Sequence, residues 1–263
     1  MKRFKPLLIL FFPILIWSCK EFDDSPKALV NVLLIDAPAQ WDSVIVEIQG
    51  VELEFVPNGR GGEVQQLFWP YEPGDKLIDI SQLVGGTALP VARNEMQLGQ
   101  ITGITLRLGP ENSLYLDEDR YALNLPGGNT DYFLPISLDL EQGFSYDLIL
   151  DFDLEKSIQV ANSNPLTVNF NPTISAYSGI GRSDLTGSTS PAEIRPAIYA
   201  IQQGDSISTH TNSSGNFTFR LEPGTYDVFI DPKDSRYNTD TIRGVIIEPG
   251  KTKALERITL TRK

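Results

Sequence analysis

The sequence is poor in the residues on which disulfides, metal sites and histidine-based catalysis depend. It has one cysteine, Cys19, and one histidine, His210, in 263 residues. A lone cysteine excludes an intramolecular disulfide, and so few cysteines and histidines exclude structural zinc and iron–sulfur sites. His210 lies in an alternating segment without a nucleophile motif, so we expect an exposed strand residue. The sequence therefore predicts a fold held by its hydrophobic core and no catalytic centre.

Positive charge is scarce as well. The chain has 22 lysines and arginines against 34 aspartates and glutamates, a formal net charge of −12. No basic patch with interleaved aromatic residues occurs. An acidic chain repels phosphate backbones, which argues against nucleic-acid binding.

A hydrophobic run long enough to cross a bilayer is also missing. The uncharged run 7–17 is shorter than the roughly 20 residues that a membrane-spanning helix needs, and it contains Pro13. Lys2, Arg3 and Lys5 precede it, and a basic segment followed by an apolar one is typical of a signal peptide, here residues 1–18.

The end of this segment, Ile16-Trp17-Ser18-Cys19, resembles the lipobox of bacterial lipoproteins. The resemblance implies cleavage before Cys19, acylation of its thiol with palmitate or a similar chain, and attachment to a membrane. The alternative is an ordinary signal peptide followed by a stray cysteine. Acylation is favoured because the chain has no other cysteine.

An acidic tether, residues 19–27, follows the cysteine. Its segment Lys20-Glu21-Phe22-Asp23-Asp24 resembles the tag that sends some Gram-negative lipoproteins to the outer face of the outer membrane. A plain solvated linker is the alternative. We expect an outer-membrane lipoprotein that is exposed at the cell surface.

What the sequence has in abundance is short alternating runs between turn signals, while helical periodicity is nearly absent. This pattern predicts an all-β protein with two β-sandwich domains in tandem, residues 28–178 and 184–263, joined by a small, flexible linker at 179–183. Only residues 80–84 and 155–160 are plausible short helices.

Two strand segments show the expected faces clearly. In 44–55 the buried phase slips by one residue at Gly50, which predicts a β-bulge or a corner between sheets. In 144–154, Leu148, Leu150, Phe152 and Leu154 point one way and Asp147, Ile149, Asp151 and Asp153 point the other. We expect the second set to form a solvated strand face.

The C-terminal region resembles the carboxypeptidase regulatory-like domain, a transthyretin-like sandwich. The resemblance rests on 211–217, which ends in Gly215-Asn216-Phe217, and on Pro223-Gly224-Thr225-Tyr226. It implies a binding or spacer module of the carbohydrate-binding-like fold rather than a peptidase. We expect Gly215 and Gly224 to adopt backbone angles that other residues disfavour, beside buried aromatic rings.

The N-terminal region resembles an uncharacterised family of bacterial lipoproteins, domain of unknown function 4382 (DUF4382). The motifs that carry the resemblance span residues 28–176: Leu34-Ile35-Asp36-Ala37-Pro38, Val46-Glu47-Ile48 with Gly50-Val51-Glu52, Ile104-Thr105-Leu106-Arg107-Leu108, Leu150-Asp151-Phe152-Asp153 with Ser157, and Asn171-Pro172. The resemblance implies an exported β-rich domain and no established catalytic residue.

Aromatic residues in two turn-like segments are the candidates for ligand contact. They occur in 68–71 and 132–133, and Trp69 and Tyr71 are the first choices. An aromatic ring on a turn can stack on a sugar or anchor a protein partner. The alternative is that these rings close the end of a sandwich core.

Two further kinds of site are suggested by short motifs. Clustered carboxylates offer hard oxygen ligands for calcium, although neither cluster has EF-hand spacing and solvated loops are the default: Asp117, Glu118 and Asp119, and Asp231 and Asp234. Three tripeptides resemble the O-glycosylation motif of some Gram-negative lineages, with acceptors Ser43, Ser206 and Thr241.

These patterns together predict a non-catalytic, membrane-anchored surface or periplasmic lipoprotein that binds or displays a glycan or protein partner. One alternative is a carbohydrate-active hydrolase that uses Asp151 and Asp153, which share a strand face about 7 Å apart. Another is a structural component of a surface assembly, in which an edge strand pairs with a neighbour.

Overall fold

The protein is all-β, as the computed structural model shows for residues 25–37, 41–59, 62–163 and 165–263. Its first part, the N-terminal sandwich, also contains one short helix, α1 (Leu154–Ser157). The strands of this sandwich are β1 (Lys27–Ala37), β2 (Ser43–Pro57), β3 (Gln65–Pro70), β4 (Leu77–Asp79), β5 (Leu89–Gln97), β6 (Gly99–Leu108), β7 (Ser113–Leu116), β8 (Asp119–Ala122), β9 (Asp131–Leu140), β10 (Ser145–Asp153), β11 (Ile158–Ser163), β12 (Leu166–Phe170) and β13 (Ile174–Ser178).

Two sheets enclose the core of the N-terminal sandwich. The first sheet has the order β13-β10-β1-β5, and β1 runs parallel to β10. The second sheet has the order β8-β7-β2-β6-β9, with β3 and β4 also paired to β2. Alternate residues of each sheet point inward, so the two inner faces share one apolar cluster.

The inward face of β1 and β10 is the one that the alternation predicts. Its members are almost fully buried and all aliphatic or aromatic: Val30, Val32, Leu34, Leu148, Leu150 and Phe152. The register pairs Val32 with Leu148 and Leu34 with Leu150. Because the side-chain period of a strand is two, these pairs point together into the core.

The predicted slip at Gly50 is confirmed. The buried positions of β2 run Val44, Val46, Ile48 and then Val51, Leu53, Phe55, and the pairing with β6 shifts register between Ile48 and Gly50. Gly50 has φ 148°, and a Cβ atom there would collide with the backbone of Trp69 and Pro70. The strand β2 can therefore change which of its alternate residues are buried and take part in two regions of the sheet.

The second part, the C-terminal sandwich, consists of two four-stranded sheets. One has the order β17-β14-β20, with β21 also paired to β14, and the other has the order β16-β15-β18-β19. The strands are β14 (Ser183–Ser190), β15 (Ala197–Gln202), β16 (Asp205–His210), β17 (Asn216–Leu221), β18 (Gly224–Asp231), β19 (Asp240–Ile247), β20 (Lys253–Ala254) and β21 (Ile258–Thr259).

The aromatic residues beside the turns of this sandwich are buried, as expected. Phe217 is 1% exposed and Tyr226 is 5% exposed. Gly215 has the expected left-handed angle, φ 80°. The expectation for Gly224 is wrong, because its φ is not positive; a Cβ atom there would instead collide with the side chain of Gln202.

The expected helix at 155–160 is only half right. The chain is helical at Leu154–Ser157 and then continues as β11. Ile158 pairs with Phe170 of β12. Tertiary pairing of this kind overrides a weak local helix preference. The other expected helix, at 80–84, is a single 3₁₀ turn over Ile80–Gln82.

The two sandwiches have separate apolar clusters, and the chain passes between them from Ser178 to Ser183. They also touch beyond this connection. Arg220 of β17 lies 3.6 Å from Asp147 of β10, and Lys233 lies 3.3 Å from Glu155. The outer face of the first sheet of the N-terminal sandwich is therefore turned toward the C-terminal sandwich.

None of the helices in the described part of the chain has the length and hydrophobicity that crossing a membrane requires.

Candidate functional site

Tyr71 and Trp69, the first-choice aromatic residues, lie on the core side of the second sheet. Tyr71 is 5% exposed, and its burial raises the pKa of its hydroxyl. It is therefore a core residue, which is the alternative that the sequence left open. Trp69 is half-buried opposite Val51, and two shallow grooves of about 420 and 410 Å³ border it. Trp69 alone of the two can reach a ligand.

The opposite, outer face of the same sheet exposes two aromatic rings that the sequence placed second. Phe68 is 42% exposed and Phe133 is 52% exposed. The register sets Phe68 beside Glu52, Glu52 beside Thr105, and Thr105 beside Phe133. These four residues form one row across β3, β2, β6 and β9, and we call it the aromatic face. Three strand spacings of about 4.8 Å separate the two rings by roughly 14 Å.

Each ring of the aromatic face is held by its surroundings. The guanidinium carbon of Arg107 lies 4.8 Å from the centroid of the Phe68 ring, and Arg107 Nη2 donates to Glu52 Oε2 at 2.7 Å. Phe133 lies over Gly103, where a Cβ atom would come within 2.4 Å of the ring. The stacked guanidinium of Arg107 holds the Phe68 ring in place, and the lack of a side chain at Gly103 makes room for the Phe133 ring.

The aromatic face combines apolar rings with polar groups between them. Glu52 offers carboxylate oxygens, Thr105 a hydroxyl and Arg107 a guanidinium, all within one row or next to it. Rings of this kind bind the apolar face of a planar or ring-shaped ligand, while the polar groups bind its hydroxyls. The sequence did not rank Phe68 above Trp69, because the two are adjacent aromatic residues on opposite faces of β3 and alternation alone does not say which face is exposed.

The first carboxylate cluster is explained by a turn. Asp117 and Glu118 are the two residues between β7 and β8, with φ 50° and 70°. Positive φ at both positions defines a type I′ hairpin, in which polar residues are common. The three carboxylates Asp117, Glu118 and Asp119 therefore lie in and beside an exposed turn.

The carboxylates of the second cluster form ion pairs with neighbouring cationic side chains. Asp231 lies 3.3 Å from Lys233 Nζ, and Asp234 lies 2.6 Å from Arg236 Nη2. Hydrogen bonds from Arg236 hold the pKa of Asp234 low, at about 2. Among the described residues, no group of three or more histidine, cysteine, aspartate or glutamate side chains is arranged to hold a metal ion.

The three expected O-glycosylation acceptors differ in accessibility. Ser206 and Thr241 are exposed on β16 and β19. Ser43 is half-buried, and its hydroxyl donates to Asp79 Oδ2 at 2.9 Å. A glycosyl transferase would find two of the three hydroxyls accessible in the folded chain.

The expectation of a solvated face on β10 is wrong at Asp151 and Ile149. Ile149 is 4% exposed, and Asp151 Oδ1 is shielded from solvent without a hydrogen-bond partner among the described residues. Burial, reinforced by the charge of Asp153, raises the pKa of Asp151 to about 7. Asp153 caps α1 by accepting from the backbone N–H of Lys156 at 2.9 Å. The two carboxylates thus have different environments and separate contacts.

His210 is also not the exposed residue that we expected. It is half-buried where the two sandwiches meet, with Nδ1 2.8 Å from the carbonyl oxygen of Arg195. Burial lowers the pKa of its imidazole. Cys19 and residues 20–24 lie outside the described residues, so the expected lipid anchor rests on the sequence alone.

Comparison with known proteins identifies the N-terminal sandwich. Residues 27–172 match the family described as “Domain of unknown function (DUF4382)”, and the match covers more than half of the chain. No curated protein matches the chain.

Several solved structures are distantly similar. An interface mutant of a type II cohesin–X-dockerin complex from Acetivibrio cellulolyticus is 19% identical, with a TM-score of 0.25 over 30% of this chain and 58% of that one. The TIE protein of Bacillus anthracis is 11% identical, with a TM-score of 0.27 over 90% of this chain and 34% of that one. A mutant shaft pilin of Lactobacillus rhamnosus GG is 7% identical, with a TM-score of 0.24 over 91% and 98%. The chain thus spans about a third of the TIE protein, and likenesses this weak carry no functional argument.

Proposed function

This chain belongs to the DUF4382 family, and we propose that it is a lipid-anchored, non-catalytic surface protein that binds a glycan chain across its aromatic face. The observation that carries the proposal is the row of Phe68, Glu52, Thr105 and Phe133 on an open sheet face. Two exposed rings about three strands apart, with hydrogen-bonding groups between them, suit successive sugar rings of an extended chain.

A glycan is favoured over a protein partner by the composition of the row. A protein-binding patch is depleted of charge at its centre. Here the centre holds the Glu52–Arg107 ion pair, with the two side chains 18% and 35% exposed. Such a pair offers both acceptors and donors to sugar hydroxyls without being fully desolvated.

The anchor in this proposal is Cys19, and the C-terminal sandwich, resembling a carboxypeptidase regulatory-like domain, is a spacer or accessory binding module. Placement at the Gram-negative cell surface is supported by the resemblance of Lys20-Glu21-Phe22-Asp23-Asp24 to the acidic tag of surface-exposed lipoproteins. A lipid chain dominates the membrane affinity of proteins attached in this way.

Two alternatives predict different behaviour. A carboxylate-based hydrolase needs two cooperating acids at one cleft, whereas Asp153 is occupied by capping and Asp151 Oδ1 is shielded. We therefore expect no turnover on glycoside, ester and peptide substrate panels. Turnover that disappears in Asp151→Asn or Asp153→Asn would favour the hydrolase. A structural component of a surface assembly would instead bind copies of itself or its neighbours through an edge strand.

The binding proposal is tested by a glycan array and affinity electrophoresis in polysaccharide gels. Phe68→Ala and Phe133→Ala are each expected to weaken binding about tenfold, because each removes a stacking ring and tenfold corresponds to about 1.4 kcal/mol. Phe144→Ala is the matched control, since Phe144 is 54% exposed outside the aromatic face.

Other outcomes of this experiment are equally clear. Equal losses in all three phenylalanine variants would contradict the proposal. A loss in Trp69→Ala without one in Phe68→Ala would move the site to the grooves beside Trp69. Binding to proteins but to no glycan would replace the glycan by a protein partner.

The anchor is tested separately. Cys19→Ala is expected to abolish acylation and to release the protein from membranes, because the lipid chains supply most of the attachment. Mass spectrometry of the mature N-terminus and fractionation of cells measure both effects. An unmodified Cys19 on a membrane-bound protein would refute the lipobox assignment.

A further inference from the structure

A cleft lies where the C-terminal sandwich approaches the N-terminal one, and the segment 83–88 runs through it. Cavities of about 330 and 360 Å³ lie along this segment, and Thr87 borders both. The first, which we call the polar cavity, has walls from both sandwiches. Trp41, Asp42 and Gln82 lie on one side, and Arg195, His210 and Thr211 lie on the other. It is separate from the aromatic face, whose residues border neither cavity.

Glycines fix the separation of the two walls. Gly85 has φ 64°, and a Cβ atom there would lie 2.9 Å from the carbonyl oxygen of Asn216. Gly86 has φ 93° and comes close to Thr218 in the same way. The segment can touch the C-terminal sandwich because neither residue has a side chain. Gly85 and Gly86 border the second cavity, and the close approach of Gly85 to Asn212 lies at the edge of the polar cavity.

A threonine in the wall of the polar cavity has a buried hydroxyl. Thr211 is 1% exposed, and its Oγ1 has no hydrogen-bond partner among the described residues. Burying a hydroxyl without a partner is unfavourable, and such groups are rare in folded proteins. Thr211 borders the cavity, so rotation of its side chain would turn Oγ1 toward a ligand hydroxyl that supplies the missing hydrogen bond.

The tautomer of His210 adds an acceptor. A carbonyl oxygen only accepts, so His210 Nδ1–H donates to Arg195 O at 2.8 Å and Nε2 of the neutral ring keeps its lone pair. Burial lowers the pKa of His210, against the opposing effect of the Arg195 hydrogen bond, and the charged groups around it are Glu155, Lys233 and Asp231. The ring is therefore neutral at neutral pH and offers an acceptor to a ligand.

The charges of the cavity balance. Arg195 is exposed and makes no ion pair with any described residue, and Asp42 uses Oδ2 to accept from the backbone N–H of Asp117 at 2.8 Å. One cation and one anion on opposite walls select neither sign. The formal net charge of −12 further disfavours anionic ligands.

We propose that the polar cavity binds a neutral saccharide unit. The indole of Trp41, half-buried with one part against the core, offers an apolar surface to a sugar ring. Asp42, Gln82 and Arg195 are planar groups that can bind two neighbouring hydroxyls, and Thr211 and His210 Nε2 complete the set. A volume of about 330 Å³ is at the small end for ligand pockets and suits one or two sugar rings.

The test is ligand-observed saturation-transfer NMR on the full chain, in a detergent without a sugar head group. The probes are D-glucose, D-galactose, D-mannose and N-acetyl-D-glucosamine, with L-alanine as a zwitterionic comparison. We expect saturation transfer to at least one sugar. Thr211→Val and Trp41→Ala should weaken its binding about tenfold or more, as loss of a buried hydrogen bond or a stacking ring does.

Three controls separate the proposal from misfolding and from the glycan site. Thr189→Val removes another buried hydroxyl that lacks a hydrogen-bond partner within the described ranges but borders neither cavity, and it should leave binding unchanged. Thr211→Ser keeps the hydroxyl and should retain binding. Phe68→Ala should also retain it, because the aromatic face is a different site. Failure of the glycan-array proposal would therefore leave this result standing.

The proposal is overturned by any of three results. These are no transfer to any of the four sugars, with or without transfer to L-alanine, unchanged affinity in both Thr211→Val and Trp41→Ala, and a loss in Thr211→Ser as large as in Thr211→Val.

Discussion

Titration of Asp151 is coupled to folding because one of its carboxyl oxygens is shielded from solvent and has no hydrogen-bond partner in the described part of the chain. Its pKa in the folded chain is about 7, against an ordinary value of 3.8. Below about pH 4 the group is protonated in both states, and its stabilising contribution is fully present. Between about pH 4 and 7 the unfolded state ionises while the folded state keeps its proton, so this contribution falls, and above pH 7, where the folded state buries the charge, it is lost.

We predict that Asp151→Asn flattens the pH dependence of stability. Relative to the variant, the original chain should lose roughly 2 to 4 kcal/mol of unfolding free energy between pH 4 and pH 8, because each pKa unit corresponds to about 1.4 kcal/mol. Urea denaturation at a series of pH values measures this difference. Asp205→Asn, at an exposed hairpin position, is the control and should track the original chain. Parallel curves for Asp151→Asn and the original would contradict the burial of this carboxyl group.

At the residue scale, the alternation of β10 predicted which side chains share a face but not what covers that face. Leu148 and Leu150 were assigned to the core correctly, whereas Ile149 and Asp151 were assigned to solvent. A second sandwich that packs on the outer face leaves no periodic signal in the strand beneath it. The buried Ile149 among three aspartates was the one available hint.

At the scale of elements, two hairpins have two-residue turns with positive φ at both positions, and they place different residues there. The β7–β8 hairpin has Asp117 and Glu118 at positive φ, and the β15–β16 hairpin has Gln203 at φ 52° and Gly204 at φ 96°. Glycine at the second position avoids the cost that a side chain incurs in this conformation. Glu118 carries that cost in the first hairpin.

Glu118→Gly is therefore expected to stabilise the protein. The gain should be about 0.5 to 1 kcal/mol, since relief of the left-handed strain is partly offset by the greater flexibility of glycine in the unfolded chain. Thermal unfolding followed by circular dichroism measures it. The reverse change in the other hairpin, Gly204→Glu, should destabilise by a similar amount. A loss of stability in Glu118→Gly would show that its side chain has a role that the turn geometry does not reveal.

Strands with a long alternation of apolar and polar residues could be predicted from the sequence. A strand whose pairing depends on residues far along the chain could not. The strand 44–55 and its slip at Gly50 were visible because apolar residues of known phase lie on both sides of the glycine. The helix expected at 155–160 overlaps the first residues of β11, whose pairing with β12 depends on residues beyond that window. Phe68 and Trp69 are adjacent aromatic residues, so hydrophobicity alone does not say which one faces the core.

At the scale of the whole molecule, the C-terminal sandwich has a closed apolar cluster of its own. We predict that a fragment beginning at Ser183 folds alone, since its core shares no buried residue with the other sandwich. Dispersed NMR signals and a cooperative unfolding transition are the expected observations. Within the fragment, Tyr226→Ala should lower stability by about 3 kcal/mol or more, because Tyr226 is 5% exposed. An unstructured fragment would mean that contacts such as Arg220–Asp147 are indispensable.

The parallel pairing of β1 with β10 sets the order in which the N-terminal sandwich can form. Asn31 and Ser145, hydrogen-bonded across the two strands, are 114 positions apart. Until the chain is complete as far as β10, the inward residues of β1 have no neighbour on that side, and closing so large a loop is slow. A chain that emerges N-terminus first, from a ribosome or through a translocation pore, therefore cannot complete the first sheet until β10 has been delivered. The N-terminal sandwich closes only after that delivery, when β1 gains its parallel neighbour.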